Sequence, residues 1–395
     1  MDLSIKLRFR PPSTTTSLYW NSPITLPLKP RSPVLGPPRQ NPAFLEIART
    51  TRRQTVTAKL AMKKKRIEGV SEELNLIASQ NLDQAPARRR VRSAFVDVIQ
   101  QLDHPLFKWY DVNSRGLAIF CKSWKPGPGV QIKGVVCFCH GYGDTCTFFF
   151  EGIARRIAAS GYGVFALDHP GFGLSDGLHG YIQDFDQLVD NVIEQYAKLK
   201  ERPELRGLPR FLMGQSMGGA VTLKVHLKEP QEWDGIILVA PMCRISEDVK
   251  PQPEVLKGLL LMSRVTPKAK LFPQKDLAEL AFRDPIKRKM GAYNVICYND
   301  RTRLKTGMEL LKATEEIESQ LEKVCSPLLI LHGAADRITD PSVSQFLCEK
   351  ASSKDKTLKL YEGGYHCILE GEPDERIFAV IDDIIKWIDI RCSTK

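Results

Sequence analysis

The sequence predicts an α/β fold in which a mostly parallel central sheet is covered by helices on both faces. From about residue 105 onward, short apolar segments alternate with amphipathic stretches of helical period. The apolar segments are continuous rather than alternating, as expected of strands that are buried on both faces. Turns that contain Gly, Ser, His and Asp follow several of these strands, where open α/β sheets place their functional groups.

Composition supports an ordinary folded protein. The chain has 395 residues, of which 43% are hydrophobic and 26% are charged, and these values exclude a disordered chain, a collagen and a small disulfide scaffold. The formal net charge of +11 resides entirely in residues 1–65, because the rest of the chain has equal numbers of basic and acidic residues. This balance gives no reason to expect nucleic acid as a partner.

Residues 1–60 are predicted to be a chloroplast transit peptide without a stable fold. The segment is rich in Arg, Ser, Thr and Pro, and it has no acidic residue between Asp2 and Glu46. Organelle-targeting segments have this composition, and the Pro and Ser content favours the plastid over the mitochondrion. The alternative interpretation is a disordered tail on a cytosolic protein.

Residues 61–104 are predicted to form an N-terminal helical extension. Ser71 precedes Glu72 and Glu73 in the pattern of a capped helix start, and we expect helix to about Leu102 with a break at Pro86. The arginines of this segment are expected to form a solvated face, with contact to anionic lipid as the alternative. They are Arg88, Arg89, Arg90 and Arg92.

Residues 105–395 are predicted to form the α/β domain. A hairpin is expected first, with arms at 107–111 and 117–124. Further strands are expected at 133–139, 164–167, 210–213, 235–240, 328–331 and 357–361. Helices are expected at about 147–160, 185–200 and 219–227, with a closing helix at 375–390. Only helical patterns occur between residues 241 and 323, which predicts a helical cap inserted between two strands.

The ten cysteines are expected to be free thiols. None of them occurs in a CxxC motif. Cys137 and Cys139 lie two apart in an apolar strand, so they share one face of the sheet, and no His lies at metal-ligand spacing from them. Buried thiols in a reducing compartment are therefore favoured over a disulfide or a zinc site.

A candidate nucleophile occurs in Gly214-Gln215-Ser216-Met217-Gly218, which matches the G-x-S-x-G nucleophile elbow. The motif follows an apolar strand and opens a helix, and this is the context that the elbow requires. The sharp turn lifts the Ser216 hydroxyl above the sheet, and the flanking glycines permit close backbone packing. An inert serine in a Gly-rich turn is the alternative.

A serine nucleophile needs a base and an acid that orients it, which follow in the chain order Ser, Asp, His in this architecture. His366 lies in a Gly-rich loop after the last strand, and Asp336 lies in the loop after the preceding strand. Both loops are expected at the carboxyl edge of the sheet, beside Ser216. We therefore predict His366 as the base and Asp336 as the acid.

Other residues compete for these two roles. Asp340 is four residues beyond Asp336, but it precedes Pro341 and is expected to cap a helix. His226 is expected on the flank of the helix after the elbow, and His332 directly ends a strand. Neither histidine occupies the loop in which the base belongs.

The negative charge of a tetrahedral intermediate requires hydrogen-bond donors. One predicted donor is the backbone N–H of Met217, the residue after the nucleophile. The second is the backbone N–H of Tyr142, in the loop His140-Gly141-Tyr142-Gly143 that follows the first buried strand. An ordinary Gly turn is the alternative for this loop, and His140 is expected to have a packing and hydrogen-bonding role.

These motifs resemble those of the monoacylglycerol-lipase-like α/β-hydrolases. The resemblance covers residues 105–390 and is carried by His140-Gly141-Tyr142-Gly143-Asp144, residues 168–175, the elbow at Ser216, His332-Gly333-Ala334-Ala335-Asp336 and Gly364-Tyr365-His366. It is strongest to the plant branch, which includes caffeoylshikimate esterases. The resemblance implies an α/β-hydrolase fold with a helical cap, a Ser216–His366–Asp336 triad, cleavage of carboxylic esters, and no metal or cofactor.

We expect hydrolysis of a monoacylglycerol-like or lysophospholipid-like ester, with a phenolic ester such as caffeoylshikimate as the alternative. The cap has apolar residues at helical spacing, which suit an acyl tunnel or peripheral membrane contact. Packing between the cap and the sheet explains them equally well. These residues are Val255, Leu256, Leu259, Leu260 and Met262.

Two other activities are weaker alternatives. His179 and Asp184 fit the H-x4-D pattern of glycerolipid acyltransferases, although so short a motif arises readily by chance. An acyltransferase would use the same acyl-enzyme and exclude water. A small-molecule receptor on a hydrolase scaffold would turn over slowly or not at all.

Overall fold

The computed structural model describes residues 66–96, 108–244, 252–273 and 278–393. The predicted transit peptide lies outside these ranges, as do residues 61–65 and 97–104 of the predicted extension. Within the described ranges, no helix is both long enough and apolar enough to span a bilayer.

An eight-stranded sheet forms the centre of the described structure. Its spatial order is β1-β2-β4-β3-β5-β6-β7-β8, numbered along the chain. The β1–β2 and β2–β4 pairs are antiparallel, and all pairs from β4 to β8 are parallel. The mostly parallel sheet predicted from the sequence is confirmed. The strands are β1 (Lys108–Val112), β2 (Ala118–Trp124), β3 (Gly134–Cys139), β4 (Tyr162–Leu167), β5 (Arg210–Gln215), β6 (Gly235–Val239), β7 (Leu328–Gly333) and β8 (Lys356–Tyr361).

Helices connect the parallel strands and cover the sheet, and two further helices of the described ranges precede the first strand. They are α1 (Glu72–Ala78), α2 (Ala85–Ala94), α3 (Phe149–Ala159), α4 (Phe185–Ala197), α5 (Met217–Lys228), α6 (Pro253–Val265), α7 (Ala278–Ala281), α8 (Pro285–Gly291), α9 (Leu304–Glu318), α10 (Pro341–Lys350) and α11 (Asp374–Cys392). Short 3₁₀ helices occur at Lys198–Glu201, Pro203–Leu205 and Leu321–Lys323.

The two faces of the sheet are both buried, as β5 illustrates. Phe211 packs edge-to-face on Trp387 of α11, with ring centroids 5.9 Å apart. The next residue, Leu212, belongs to the buried cluster that contains Leu188 of α4 and Val221 of α5. Successive side chains of a strand point to opposite faces, so a strand covered by helices on both sides consists of continuous apolar residues.

The predicted cap occupies the connection between β6 and β7. This connection contains α6 to α9, whereas each of the other crossovers between parallel strands contains a single α-helix. The last of these helices, α9, packs against both α6 and α5. It therefore joins the cap to the helical layer that covers the sheet.

The helical extension differs from the expectation in two respects. Ser71 caps α1 as predicted, with its hydroxyl accepting the Leu74 N–H at 3.2 Å. The break in the helix, however, precedes Pro86, which lies in the first turn of α2, where its missing N–H costs no helical bond. Arg88 and Arg92 are buried rather than solvated, so the predicted arginine face was wrong for these two residues.

All ten cysteines are free thiols, as predicted. Cys137 and Cys139 lie together in the buried cluster on one face of the sheet. Burial raises the pKa of the Cys139 thiol to about 12, so this side chain packs as a neutral apolar group. Cys325, just before β7, is the one exposed cysteine among the described residues.

Candidate active site

Ser216 occupies a strained turn between β5 and α5. Its φ of 53° and ψ of −120° are rare for a residue with a side chain. A Cβ at Gly218 would overlap the carbonyl oxygen of Cys139, and one at Gly214 would overlap the carbonyl oxygen of Gly218. The glycines on either side of Ser216 are therefore required by close backbone contact, and the half-buried serine lies at the carboxyl end of the strand.

Asp336 and His366 are in direct contact, although they are 30 residues apart in the chain. His366 Nδ1 lies 2.7 Å from Asp336 Oδ2, and both side chains are almost fully buried. The second carboxylate oxygen accepts the backbone N–H groups of Ile338 and Thr339 at 2.7 and 3.1 Å. A carboxylate held by so many donors accepts the Nδ1 proton of His366, which leaves Nε2 free as a base.

The ionisation of Asp336 follows from its neighbours. Burial opposes ionisation, but the facing His366 and the hydrogen bond from His332 hold the pKa of this carboxyl well below its usual range. Asp336 is therefore a carboxylate at neutral pH. It provides the negative charge that an imidazolium at His366 would need during proton transfer.

Sequence reasoning missed two further residues at this carboxylate. His332 Nε2 lies 3.0 Å from Asp336 Oδ2 and 2.8 Å from the carbonyl oxygen of Thr339. Facing two acceptors, this nitrogen donates. The Thr339 hydroxyl also donates to Asp336 Oδ2, at 2.9 Å. A signal was present in the sequence, because His332 ends β7 four residues before Asp336, but the pattern alone did not show which group it faces.

The other competing residues have structural roles. Asp340 caps α10, because its carboxylate accepts the Ser342 N–H at 2.8 Å. His226 is buried and accepts the backbone N–H of Cys325 at 3.2 Å. Asp184 caps α4 through the Gln187 N–H at 2.9 Å, whereas the His179 ring packs on Tyr298. The H-x4-D pair therefore serves two separate structural purposes.

The loop after β3 runs directly beside the nucleophile. A Cβ built at Gly141 would lie 3.3 Å from Ser216 Cβ, so this loop borders the space above the serine. Met217 is the first residue of α5, where backbone N–H groups have no partner within the helix. The Tyr142 ring lies 5.6 Å from the Phe172 ring and 5.9 Å from the Tyr298 ring, and burial strongly raises the pKa of its hydroxyl. Both predicted oxyanion donors thus belong to segments that border Ser216.

A hydrogen bond joins the segment that carries Ser216 to the loop that carries His366. Gln215 Nε2 donates to Glu370 Oε1 at 2.7 Å, and both side chains are buried. Within the described ranges, the Ser216 hydroxyl makes no hydrogen bond to a side chain. Its contact with His366 Nε2 therefore stays a prediction.

A second pair of carboxyl groups lies near this bond. Burial raises the pKa of Glu370. Burial and the nearby Glu370 also raise the pKa of Asp144, to about 8. Asp144 is therefore largely protonated at neutral pH. The two groups were not predicted, because neither lies in a motif that signals a perturbed carboxyl group.

The cap presents apolar side chains to solvent. Leu259 is buried, but its neighbours on α6 are not, and Leu261 and Val265 are 65% and 75% exposed. Val255, Leu260 and Met262 are also exposed. Packing between cap and sheet therefore explains Leu259 and not most of this helix. A contiguous apolar surface of this kind usually marks contact with a membrane, ligand or partner.

Fold and site together place the chain among the α/β-hydrolases, the class in which such an elbow carries the nucleophile. The chain belongs to the family described as "Serine aminopeptidase, S33" (Hydrolase_4), whose model matches residues 130–374. Comparison with curated proteins and solved structures is consistent with this membership.

The relatives include esterases and lipases. Caffeoylshikimate esterase of Arabidopsis thaliana is 38% identical over 272 residues, covering 69% of this chain and 82% of the relative. Monoglyceride lipase of Homo sapiens is 33% identical over 291 residues, covering 72% and 90%. The crystal structure of Paleococcus ferrophilus monoacylglycerol lipase matches with a TM-score of 0.60 at 25% identity, covering 70% and 99%. The chain is accordingly an ester hydrolase.

Proposed function

We propose that the chain hydrolyses a monoacylglycerol-like or lysophospholipid-like ester with Ser216 as nucleophile, His366 as base and Asp336 as the orienting acid. The observation that carries the proposal is the 2.7 Å contact between His366 Nδ1 and Asp336 Oδ2, at the sheet edge where the elbow presents Ser216. No metal or cofactor enters the reaction.

In the first step, Ser216 Oγ attacks the ester carbonyl while His366 Nε2 takes the hydroxyl proton. The N–H groups of Tyr142 and Met217 stabilise the negative oxygen of the tetrahedral intermediate. His366 then gives its proton to the leaving alcohol, and the acyl group stays on Ser216. Water, deprotonated by His366, attacks this acyl-enzyme, and the proton returns to Ser216 as the acid leaves.

The exposed apolar face of the cap supports a lipid substrate. Val255, Leu261 and Val265 all lie on α6, and all three side chains are exposed. We propose that this face contacts the membrane that supplies the ester. Leu261→Ser combined with Val265→Ser should weaken sedimentation with phospholipid vesicles but leave hydrolysis of a soluble short-chain ester unchanged. Equal vesicle binding by this variant would contradict the membrane contact.

Steady-state hydrolysis by the purified chain tests substrate and mechanism together. We would compare 1-monooleoylglycerol, lysophosphatidylcholine and caffeoylshikimate. Ser216→Ala should abolish turnover, whereas Ser342→Ala, a matched change at an exposed serine of α10, should not. Turnover of a lipid ester by Ser216→Ala at the rate of the unmodified chain would disprove the triad.

A phenolic ester is the second candidate substrate. It is favoured by the 38% identity to a relative that is named for caffeoylshikimate. Preference for that ester in the same assay would replace the lipid proposal. Acyl transfer to added glycerol in excess of hydrolysis would favour an acyltransferase, and covalent labelling of Ser216 without turnover would favour a receptor.

We also propose that residues 1–60 direct the chain to the chloroplast. Their composition supports this proposal, since the positive charge excess is confined to this end of the sequence. A fluorescent protein fused to residues 1–60 should enter plastids of plant cells, and one fused to residues 61–395 should not. Cytosolic fluorescence of the first fusion would contradict the proposal.

A further inference from the structure

The extension that carries α1 and α2 precedes the region matched by the family, residues 130–374, so no role comes to it from that match. Arg88 anchors it to the loop after β4. This side chain is fully buried, and it donates to the carbonyl oxygens of Gly173 and Ser175 at 2.5 Å and of Gly177 at 3.3 Å. Burial lowers the pKa of Arg88 to about 10, so the guanidinium remains charged at neutral pH.

Asp83, just before α2, connects this extension to the cap. Its carboxylate accepts from Arg303 at 2.6 Å and lies 3.3 Å from the Lys270 ammonium. Its carbonyl oxygen accepts the His179 N–H at 2.9 Å. Arg303 is nearly fully buried and also donates to the carbonyl oxygens of His179 and Lys268, at 2.9 and 2.7 Å. Arg303 therefore joins the segments of Asp83, His179 and Lys268, and Asp83 supplies the carboxylate that pairs with it.

The segment held by Arg303 in turn contacts the loop after β3, residues 140–143, which we call the oxyanion loop. Tyr298, five residues earlier, donates its backbone N–H to the carbonyl oxygen of Gly143 at 2.7 Å. Its hydroxyl donates to the carbonyl oxygen of Arg301 at 2.5 Å, which stiffens the segment. The Tyr298 ring fits against Gly180, where a Cβ would overlap it. Gly143 directly follows Tyr142, whose N–H is a proposed oxyanion donor.

We propose that Asp83 is a positioning residue for ester hydrolysis. It holds Arg303, Arg303 fixes the segment of Tyr298, and the Tyr298 N–H fixes the oxyanion loop in the conformation that aims the Tyr142 N–H above Ser216. The inference rests on the proposed function, because the Tyr142 N–H that Asp83 would position is a donor of that mechanism. Its consequence is that a contact in the N-terminal extension determines how well the transition state is stabilised.

The test compares Asp83→Ala and Asp83→Asn in the full chain with Glu73→Ala, a matched change at an exposed acid of α1. Steady-state rates on a soluble ester give kcat and KM. The rate of Ser216 modification by an alkyl fluorophosphonate reports the oxyanion site independently of turnover. Thermal unfolding shows whether each variant is folded.

Asp83→Ala should lower kcat and the rate of phosphonylation about tenfold with little change in KM, less than the loss of about 10² or more that follows removal of an oxyanion donor. Asp83→Asn keeps an acceptor for Arg303 without its charge, so its rates should lie between those of Asp83→Ala and the unmodified chain. Glu73→Ala should match the unmodified chain.

Folded Asp83 variants with unchanged kcat and phosphonylation would overturn the inference, even if their melting temperatures fell. If Asp83→Ala does not fold, Asp83→Asn decides by the same criterion. An unmodified chain whose Ser216 does not react with the fluorophosphonate would instead refute the proposed function. The two failures are therefore distinguishable.

Discussion

Replacing Asp336 by Asn should nearly abolish catalysis without disturbing the fold. Asp336 Oδ2 faces three groups that donate to it, His366 Nδ1, His332 Nε2 and the Thr339 hydroxyl, at 2.7 to 3.0 Å. Its Oδ1 faces the N–H groups of Ile338 and Thr339. An asparagine has one oxygen and one NH₂ group, so either orientation of the amide sets an NH₂ against groups that donate.

The easiest relief of this conflict is a change of tautomer at His366. If Nδ1 gives up its proton to accept from the new amide, Nε2 becomes protonated and can no longer take the proton of Ser216. Loss of the carboxylate also removes the charge that stabilises the imidazolium. We therefore expect kcat to fall about 10⁴-fold, which corresponds to about 5.5 kcal/mol in the activation free energy.

The assay is steady-state hydrolysis of a soluble ester, with Asp340→Asn as the matched control. Asp340 lies in the same loop and only caps α10, and Asn is as good a cap as Asp, so this variant should keep its activity. If Asp336→Asn retained activity within about tenfold of the unmodified chain, the assignment of the orienting acid would be refuted.

Two further predictions concern stability. The pKa of Asp144 is raised to about 8 in the folded chain. The stability that protonated Asp144 contributes is therefore fully present below the unfolded pKa of about 4, and it is lost as the pH rises to about 8. Asp144→Asn should therefore gain stability relative to the unmodified chain as pH rises through this window, as measured by urea unfolding, and a constant difference would contradict the raised pKa. Lys122→Met should lower the free energy of unfolding by about 3 kcal/mol, because it leaves the buried Glu151 without one of its cations. Lys125→Met, at an exposed pair with Glu204, should change the free energy of unfolding by less than about 1 kcal/mol. Equal effects of the two variants would show that burial does not determine how much an ion pair contributes to stability.

Sequence reasoning predicted the parts of the molecule that local patterns determine. A buried parallel strand must be apolar on both faces, so five of the six parallel strands were recognisable from continuous apolar runs. The sixth, β8, lies at the edge of the sheet and has polar residues between its apolar ones. The elbow at Ser216 was recognisable because its backbone leaves no room for a Cβ at Gly214 or Gly218. His366 and Asp336 followed from chain order and from the loops in which they lie, and the structure shows them in contact.

The features that were missed depend on contacts between distant segments. Arg88 lies among surface-like charges in the sequence, but three of the carbonyl oxygens to which it donates are 85 or more residues away. The partner of Glu370 is Gln215, 155 residues earlier. Periodicity describes which side of a helix faces the protein, and it carries no information about a loop that brings acceptors to that helix.

The positions of the thiols allow one site of the chain to be labelled with a fluorophore. Cys325 is exposed, and it lies just before β7, whereas the proposed nucleophile and base follow the carboxyl ends of β5 and β8. A maleimide fluorophore should therefore attach first at Cys325, at the opposite edge of the sheet from the reacting groups. The natural sequence thus supplies an attachment point from which unfolding can be followed by fluorescence while the enzyme is assayed.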